Sequence, residues 1–177
     1  MAETWNIDPS HTLVEFAVRH MMLATVKGNF SGVSGTLVGD PNDLTNAKIS
    51  ISVDIDTIDT RNADRDQHLR SADFFDAENF PKMTFESRNI TRTGENTYNI
   101  EGDLTIRGTT RPITLEAEFM GVGPDPWGNT RAGFEATGKL NRKDYGLTWN
   151  AALETGGVLV GEEVKITISA EFVKQAE

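Results

Sequence analysis

Apolar residues in this chain recur at every second position, stretch after stretch, and no other feature limits its possible folds so tightly. Ala47, Ile49, Ile51, Val53 and Ile55 alternate with Lys48, Ser50, Ser52 and Asp54. Successive side chains of a β-strand point to opposite faces, so such a run makes a strand with one dry and one wet face. The pattern returns at Tyr98, Ile100, Leu104 and Ile106, at Ile113, Leu115, Ala117 and Phe119, at Ala132, Phe134, Ala136 and Leu140, and at Val164, Ile166, Ile168, Ala170 and Phe172. Weaker versions lie at Leu13 to Val18, Val26 to Val38 and Met83 to Ser87, which brings the total to about eight strands.

Turn residues separate these runs. Gly39-Asp40-Pro41-Asn42, Thr93-Gly94-Glu95-Asn96, Gly108-Thr109-Thr110 and Gly123-Pro124-Asp125-Pro126 are hairpin or loop punctuation. Connections this short predict antiparallel neighbours. One helix is predicted, over Asn62 to Ser71, between the third and fourth strands: Asp66 and Arg70 stand at i, i+4, Thr60 or Asn62 can cap it, and no glycine or proline intervenes. With 177 residues and no linker, fixed repeat or low-complexity tract, the chain reads as a single domain over 1–177.

Eight amphipathic antiparallel strands must hide their apolar faces, either by closing into a barrel or by stacking as a sandwich. Small residues fall on the inward rows of successive strands: Gly102, Ala117, Ala136 and Gly138. They either leave an apolar vacancy or make room for large neighbours such as Phe119 and Phe134, and the pattern alone leaves both open.

The charge balance excludes several functions. Twenty-seven acidic residues against seventeen basic ones give a formal charge of -10, which repels nucleic-acid phosphates and anionic bilayers. Nucleic acid and stable membrane insertion are therefore not expected, and no run of about 18 apolar residues exists to span a bilayer. The absence of cysteine removes disulfides, thiolate nucleophiles and zinc ribbons. The first residues, Met1-Ala2-Glu3-Thr4-Trp5-Asn6, carry no basic and apolar leader pattern, so a cytoplasmic location is expected.

Catalytic signatures are missing. His11, His20 and His68 show no HxxxH or HExxH spacing, so no metal is expected. Gly32-Val33-Ser34-Gly35 fails the nucleophile-elbow spacing, and neither a dinucleotide fingerprint nor a P-loop occurs. Asn29-Phe30-Ser31 and Asn89-Ile90-Thr91 match the glycosylation pattern, which means little without a secretory leader. The polar segment from Arg61 to Phe75 fits first a solvated helix pinned by Leu69, Phe74 and Phe75, and it is also compatible with a lid over one barrel mouth whose His68 and a neighbouring arginine hold a ligand head group.

A set of ordered blocks goes further. Asp8-Pro9-Ser10-His11, Val14 to His20, Lys27-Gly28-Asn29-Phe30, Arg65 to Phe74, Phe80 to Phe85, Gly102 to Gly108, Asp125-Pro126-Trp127-Gly128, Arg131 to Ala136 and Asn141 to Gly146 follow one another over nearly the whole chain. In this the sequence resembles YceI-like proteins. The resemblance implies an all-β, eight-stranded, lipocalin-like extended antiparallel barrel. It further implies an apolar tunnel holding a long isoprenoid, of polyprenyl or quinone type, in a non-catalytic homodimeric protein with no cofactor. The tunnel is expected to be lined by Phe16, Val18, Phe30, Ile51, Val53, Phe85, Leu104, Leu115, Ala117, Phe134, Ala136 and Ile166. A polar mouth at His11, His68, Arg142 and Tyr145 is expected to orient the head group. Two other functions fit the same pattern: a filled barrel that binds a partner during stress, and an isomerase or hydrolase acting on a small apolar substrate, which needs a convergent acid and base.

Overall fold

The computed structural model describes residues 3–21, 23–148 and 160–176. In chain order the elements are β1 (Glu3–Ile7), a 3-10 turn at Pro9–His11, β2 (Leu13–His20), β3 (Ala24–Phe30), β4 (Val33–Asp40), β5 (Asp43–Asp54), a 3-10 turn at Ile55–Thr57, β6 (Ile58–Asp59), α1 (Ala63–Arg70), β7 (Lys82–Arg92), β8 (Thr97–Ile106), β9 (Thr109–Pro124), β10 (Thr130–Asn141), a 3-10 turn at Arg142–Tyr145, and β11 (Val160–Lys174). Every pairing between strands is antiparallel, and the order β1-β4-β5-β7-β8-β9-β10-β11-β2-β3-β6 is closed by a further β1–β11 pairing.

These eleven segments make a closed eight-stranded barrel, because three of its strands are interrupted part-way. β1 and β2 lie end to end along β11, through Ile7↔Phe172 and then Leu13↔Ser169. β4 and β3 lie end to end along that pair, through Trp5↔Leu37 and then Val14↔Phe30. β5 and β6 run the same way along β4 and β3. The breaks have local causes. Pro9 has no N–H to give a ladder, and the Asp8 carboxylate accepts from Ser10 N at 3.0 Å, which starts a turn instead of a strand. Between β3 and β4, the Gly32 N–H donates to Thr57 Oγ1 at 3.1 Å, and a Cβ at Gly32 would lie only 2.6 Å from Thr57 Cγ2. The predicted strand from Val26 to Val38 is therefore two strands joined at Ser31-Gly32. β1 was not anticipated, since its five residues are too few for an alternation to stand out.

The predicted helix forms one residue inside its expected limits at each end, with Asn62 as N-cap accepting from Arg65 N at 3.1 Å and Ser71 as C-cap. Its only large apolar residue is Leu69, so polar clamps hold it. The buried Asp66 carboxylate accepts from the backbone N–H of Thr60 at 2.9 Å and from its hydroxyl. Arg65 donates to Thr60 Oγ1 at 2.8 Å and Thr60 O at 2.7 Å. The helix is thereby tied to the end of β6, across one end of the barrel.

Both readings of the small inward residues hold, each for half of them. A Cβ at Gly102 would lie 2.5 Å from Phe85 Cζ, and one at Gly138 would lie 2.7 Å from Leu115 Cδ2, so these glycines make room for neighbours. Ala117 and Ala136, paired across β9 and β10, face empty space instead.

Candidate functional site: an apolar barrel interior

Among the described residues, two cavities lie inside the ring. The larger, of about 160 Å³, is walled by inward residues of the barrel strands and closed at one end by Leu69, Phe74 and Phe75. The smaller, of about 70 Å³, lies beyond it among Leu37, Leu44, Ile100, Phe134 and Phe172. Ile51, Phe85, Leu115 and Ile168 belong to both walls, so these four side chains stand between the cavities. The interior is neither plugged solid nor a single continuous bore.

The alternation places the expected tunnel residues on these walls. Phe16, Val18, Phe30, Ile51, Val53, Phe85, Leu104, Leu115 and Ile166 line the larger cavity. Ala117, Phe134 and Ala136 line the smaller one, where Phe134 packs at a tilt against Phe119 at 5.3 Å and edge-on to Phe172 at 5.8 Å. Val14, Met83, Ile106, Ile113, Leu140 and Val164 also line the larger cavity. All six share parity with residues already named on their strands, so continuing each row would have found them. Leu147, just after the left-handed Gly146, has no periodic signal.

Of the four residues expected at a polar mouth, His68, Arg142 and Tyr145 lie at one end of the barrel, where Arg107 Nη1 donates to both Phe74 O at 3.1 Å and Gly146 O at 3.2 Å, while His11 lies apart from them. His11 lies at the β1–β2 corner, where its Nδ1 is 2.9 Å from Asp8 Oδ2. Arg142 binds the start of β11, while the His11 corner adjoins Glu171. Ten positions along the strand, at about 3.3 Å each, put these roughly 30 Å apart. His68 sits outside the cavity wall: its ring packs edge-on against Phe74 at 5.1 Å, Phe74 lines the cavity, and His68 Nε2 is 2.9 Å from Asp73 Oδ2. Tyr145 is buried beside β9 and lines an outer groove with Arg111, not the cavity. Burial, with the negative Asp144 adding to it, pushes its phenol up to about 12.

Arg142 alone of the four reaches the larger cavity. Its Nη1 donates to Leu147 O at 2.6 Å, its Nε to Gly161 O at 2.7 Å and its Nη2 to Val160 O at 3.2 Å. Burial lowers its pKa, and the nearby Glu162 acts in the opposite direction. Arg142 is thus a clamp between the turn after β10 and the start of β11, and its aliphatic stem adds to the apolar wall.

Asp8, His11 and Glu171 bring possible metal-ligand atoms within 4.8 Å of one another. A guanidinium already serves these carboxylates: Arg131 Nη1 lies 2.6 Å from Asp8 Oδ2 and 2.8 Å from Glu171 Oε1, and its Nε lies 2.7 Å from Asp125 Oδ2. The cluster joins the β1–β2 corner to β10, β11 and the β9–β10 turn, and Arg131 holds the Asp8 carboxyl far below the ordinary carboxylate range.

A closed antiparallel barrel with an apolar interior, one polar-clamped helix across its end and, among the described residues, no convergent acid and base on its walls defines a lipocalin-like barrel. Comparison with known proteins agrees. The chain belongs to the YceI-like family, whose domain model matches residues 5–172. It is 44% identical over 169 residues to a UPF0312 protein of Staphylococcus epidermidis, covering 95% of this chain and 96% of that one. Among solved structures, BcnA of Burkholderia cenocepacia superposes with a TM-score of 0.81 at 22% identity, covering 93% of this chain and 98% of that one. A polyisoprenoid binding domain from Saccharophagus degradans superposes with a TM-score of 0.72 at 12% identity, covering 97% and 98% respectively. At these identities the two structures establish the fold.

Proposed function

We propose that this protein holds a long isoprenoid chain inside the barrel and acts as a non-catalytic carrier or store. The observation that carries the reading is the composition of the larger cavity's wall: among the described residues that line it, only Thr84 and Arg142 are polar, and the Arg142 guanidinium is engaged with backbone carbonyls. A wall without directional partners selects hydrocarbon, and a hydrolase or isomerase would need a general acid and base facing its substrate. The polyisoprenoid binding domain with the same fold supports an isoprenoid in particular.

The energetics favour a reversible complex. Burying one CH₂ is worth about 0.8 kcal/mol, so a tail of some forty carbons gains roughly 30 kcal/mol gross from water. Non-covalent affinities saturate near -18 to -21 kcal/mol, so ordering the flexible tail cancels much of that gain. Relative to a membrane the net drive is smaller still, which suits exchange. A full-length guest requires the two cavities to join, and so requires Ile51, Phe85, Leu115 and Ile168, which stand between them, to move aside.

The test is titration of delipidated protein with polyprenols and with fatty acids of equal carbon number. Saturable binding at one site, favouring the polyprenol, is expected. Equal binding of both, or none of either, would overturn the reading.

A further inference from the structure

The barrel wall has a seam. The β9–β10 ladder runs from Thr130↔Pro124 to Thr137↔Glu116 and stops, although β9 begins at Thr109 and β10 continues to Asn141. Each strand stays paired on its other side, β9 to β8 through Ile106↔Thr109 and β10 to β11 through Asn141↔Glu163. Pro112, which has no N–H, lies in the unpaired stretch of β9.

A groove of about 730 Å³ lies over this seam. Its inner lining includes Ile113, Leu140 and Ile166, which also line the larger cavity, so seam and cavity meet at shared side chains. On a chain whose formal charge is -10, its rim carries three basic residues, Arg111, Lys139 and Lys165, against two acidic ones, Glu116 and Asp144.

The placing of these cations has an energetic cost. Lys139 and Lys165 are direct register partners on β10 and β11, both exposed. Like charges opposite each other across a sheet are destabilising. Lys139 has one carboxylate nearby, Glu163 at 3.9 Å, and among the described residues Arg111 and Lys165 form no ion pair. Arg111 falls on the inward-facing row of β9, two residues before Ile113, and its charge acts on Tyr145. The Tyr145 hydroxyl stays protonated well above neutrality and is available as a donor.

We propose that this seam is where the polar end of the bound isoprenoid leaves the barrel, and that the end it accepts is a phosphate ester held by Arg111, Lys139 and Lys165. The proposal rests on the reading of the cavity as an isoprenoid site. A neutral quinone ring or alcohol makes no use of three cations lining one groove, whereas a phosphate monoester offsets the repulsion between Lys139 and Lys165 and offers Arg111 an anionic partner. An anionic head is repelled elsewhere on this acidic protein, so the groove also fixes the direction in which the lipid lies.

The test compares geranylgeranyl phosphate with geranylgeraniol, titrated into delipidated wild type and into an R111Q/K139Q/K165Q variant whose fold is checked by circular dichroism. All three substituted residues are exposed, so the barrel core is untouched. Wild type is expected to bind the phosphate at least about tenfold more tightly than the alcohol at low salt, with the preference shrinking as salt is added. The variant is expected to bind both ligands equally, with its affinity for the alcohol unchanged. Equal binding of the two ligands by wild type overturns this inference and leaves the isoprenoid reading standing. A preference that survives in the variant overturns the placement at the seam. Inorganic phosphate binding as tightly as the ester would make the groove a free-phosphate site and also overturn it. Failure of wild type to bind either ligand removes the isoprenoid reading itself.

Discussion

Replacing Ala136 by leucine tests whether the guest chain reaches past Ile51, Phe85, Leu115 and Ile168 into the smaller cavity. Ala136 sits opposite Ala117 on β9 and Ile168 on β11, and it faces that cavity of about 70 Å³. Leucine adds three carbons, whose burial is worth about 2.4 kcal/mol at about 0.8 kcal/mol per carbon. Overpacking of a core typically costs about 1–3 kcal/mol, so the two effects nearly cancel and the unliganded barrel should unfold close to the wild-type midpoint. Binding should respond differently. Each carbon kept out of the smaller cavity forfeits up to about 0.8 kcal/mol, so exclusion of one five-carbon isoprene unit removes about 4 kcal/mol gross. Allowing for ordering entropy that the shortened contact no longer costs, the affinity for a long polyprenol should fall at least about tenfold. The assay is titration of delipidated protein with geraniol, farnesol and geranylgeraniol. Wild-type affinity is expected to rise along the series, and that of Ala136→Leu to level off. A folded variant whose affinity rises with length as steeply as wild type would refute a guest in the smaller cavity.

Two further substitutions test the frame around the site. Arg142→Met leaves the carbonyls of Leu147, Gly161 and Val160 without their guanidinium donor; the first of these bonds is buried and the other two half-buried, and an unsatisfied buried acceptor costs about 1–3 kcal/mol. Urea unfolding should show a loss of about 2–5 kcal/mol, and an unchanged midpoint would contradict the clamp. Arg131→Gln should alter acid stability. The Asp8 and Asp125 carboxyls are held below their ordinary value of 3.8 chiefly by Arg131. A carboxyl with a depressed folded pKa contributes stability that is present above about pH 4 and is lost as pH falls toward its folded value. The variant should therefore melt below wild type at pH 6, and the gap should narrow between pH 4 and pH 2. A gap independent of pH would show that the Arg131 cluster does not carry the effect.

Much of the barrel was legible in the sequence because alternation is a local property. Once Ile49, Ile51 and Val53 are known to face one way, the parity of the whole strand follows, and neighbouring rows must share an interior. The same logic placed all twelve expected tunnel residues on cavity walls. Pairing across long loops is not local, and there the reading failed. Nothing between Asp8 and Arg142 says which ends of their strands lie together, and the ring's register puts His11 beside Glu171 and Arg142 beside Gly161. Helix α1 was found by its capping pattern, but its tie to Thr60 through Asp66 and Arg65 rests on contacts that no periodicity encodes. The seam between β9 and β10 was invisible for a similar reason. Both strands alternate correctly through it, and only the ladder between them ends.

The most direct measurement is solvent extraction, followed by mass spectrometry, of protein purified under native conditions from its own host. The account predicts an isoprenoid species recovered in near-stoichiometric amount from wild type. Cleanly folded native protein that yields no lipid, or only a mixture of ordinary fatty acids, would contradict it.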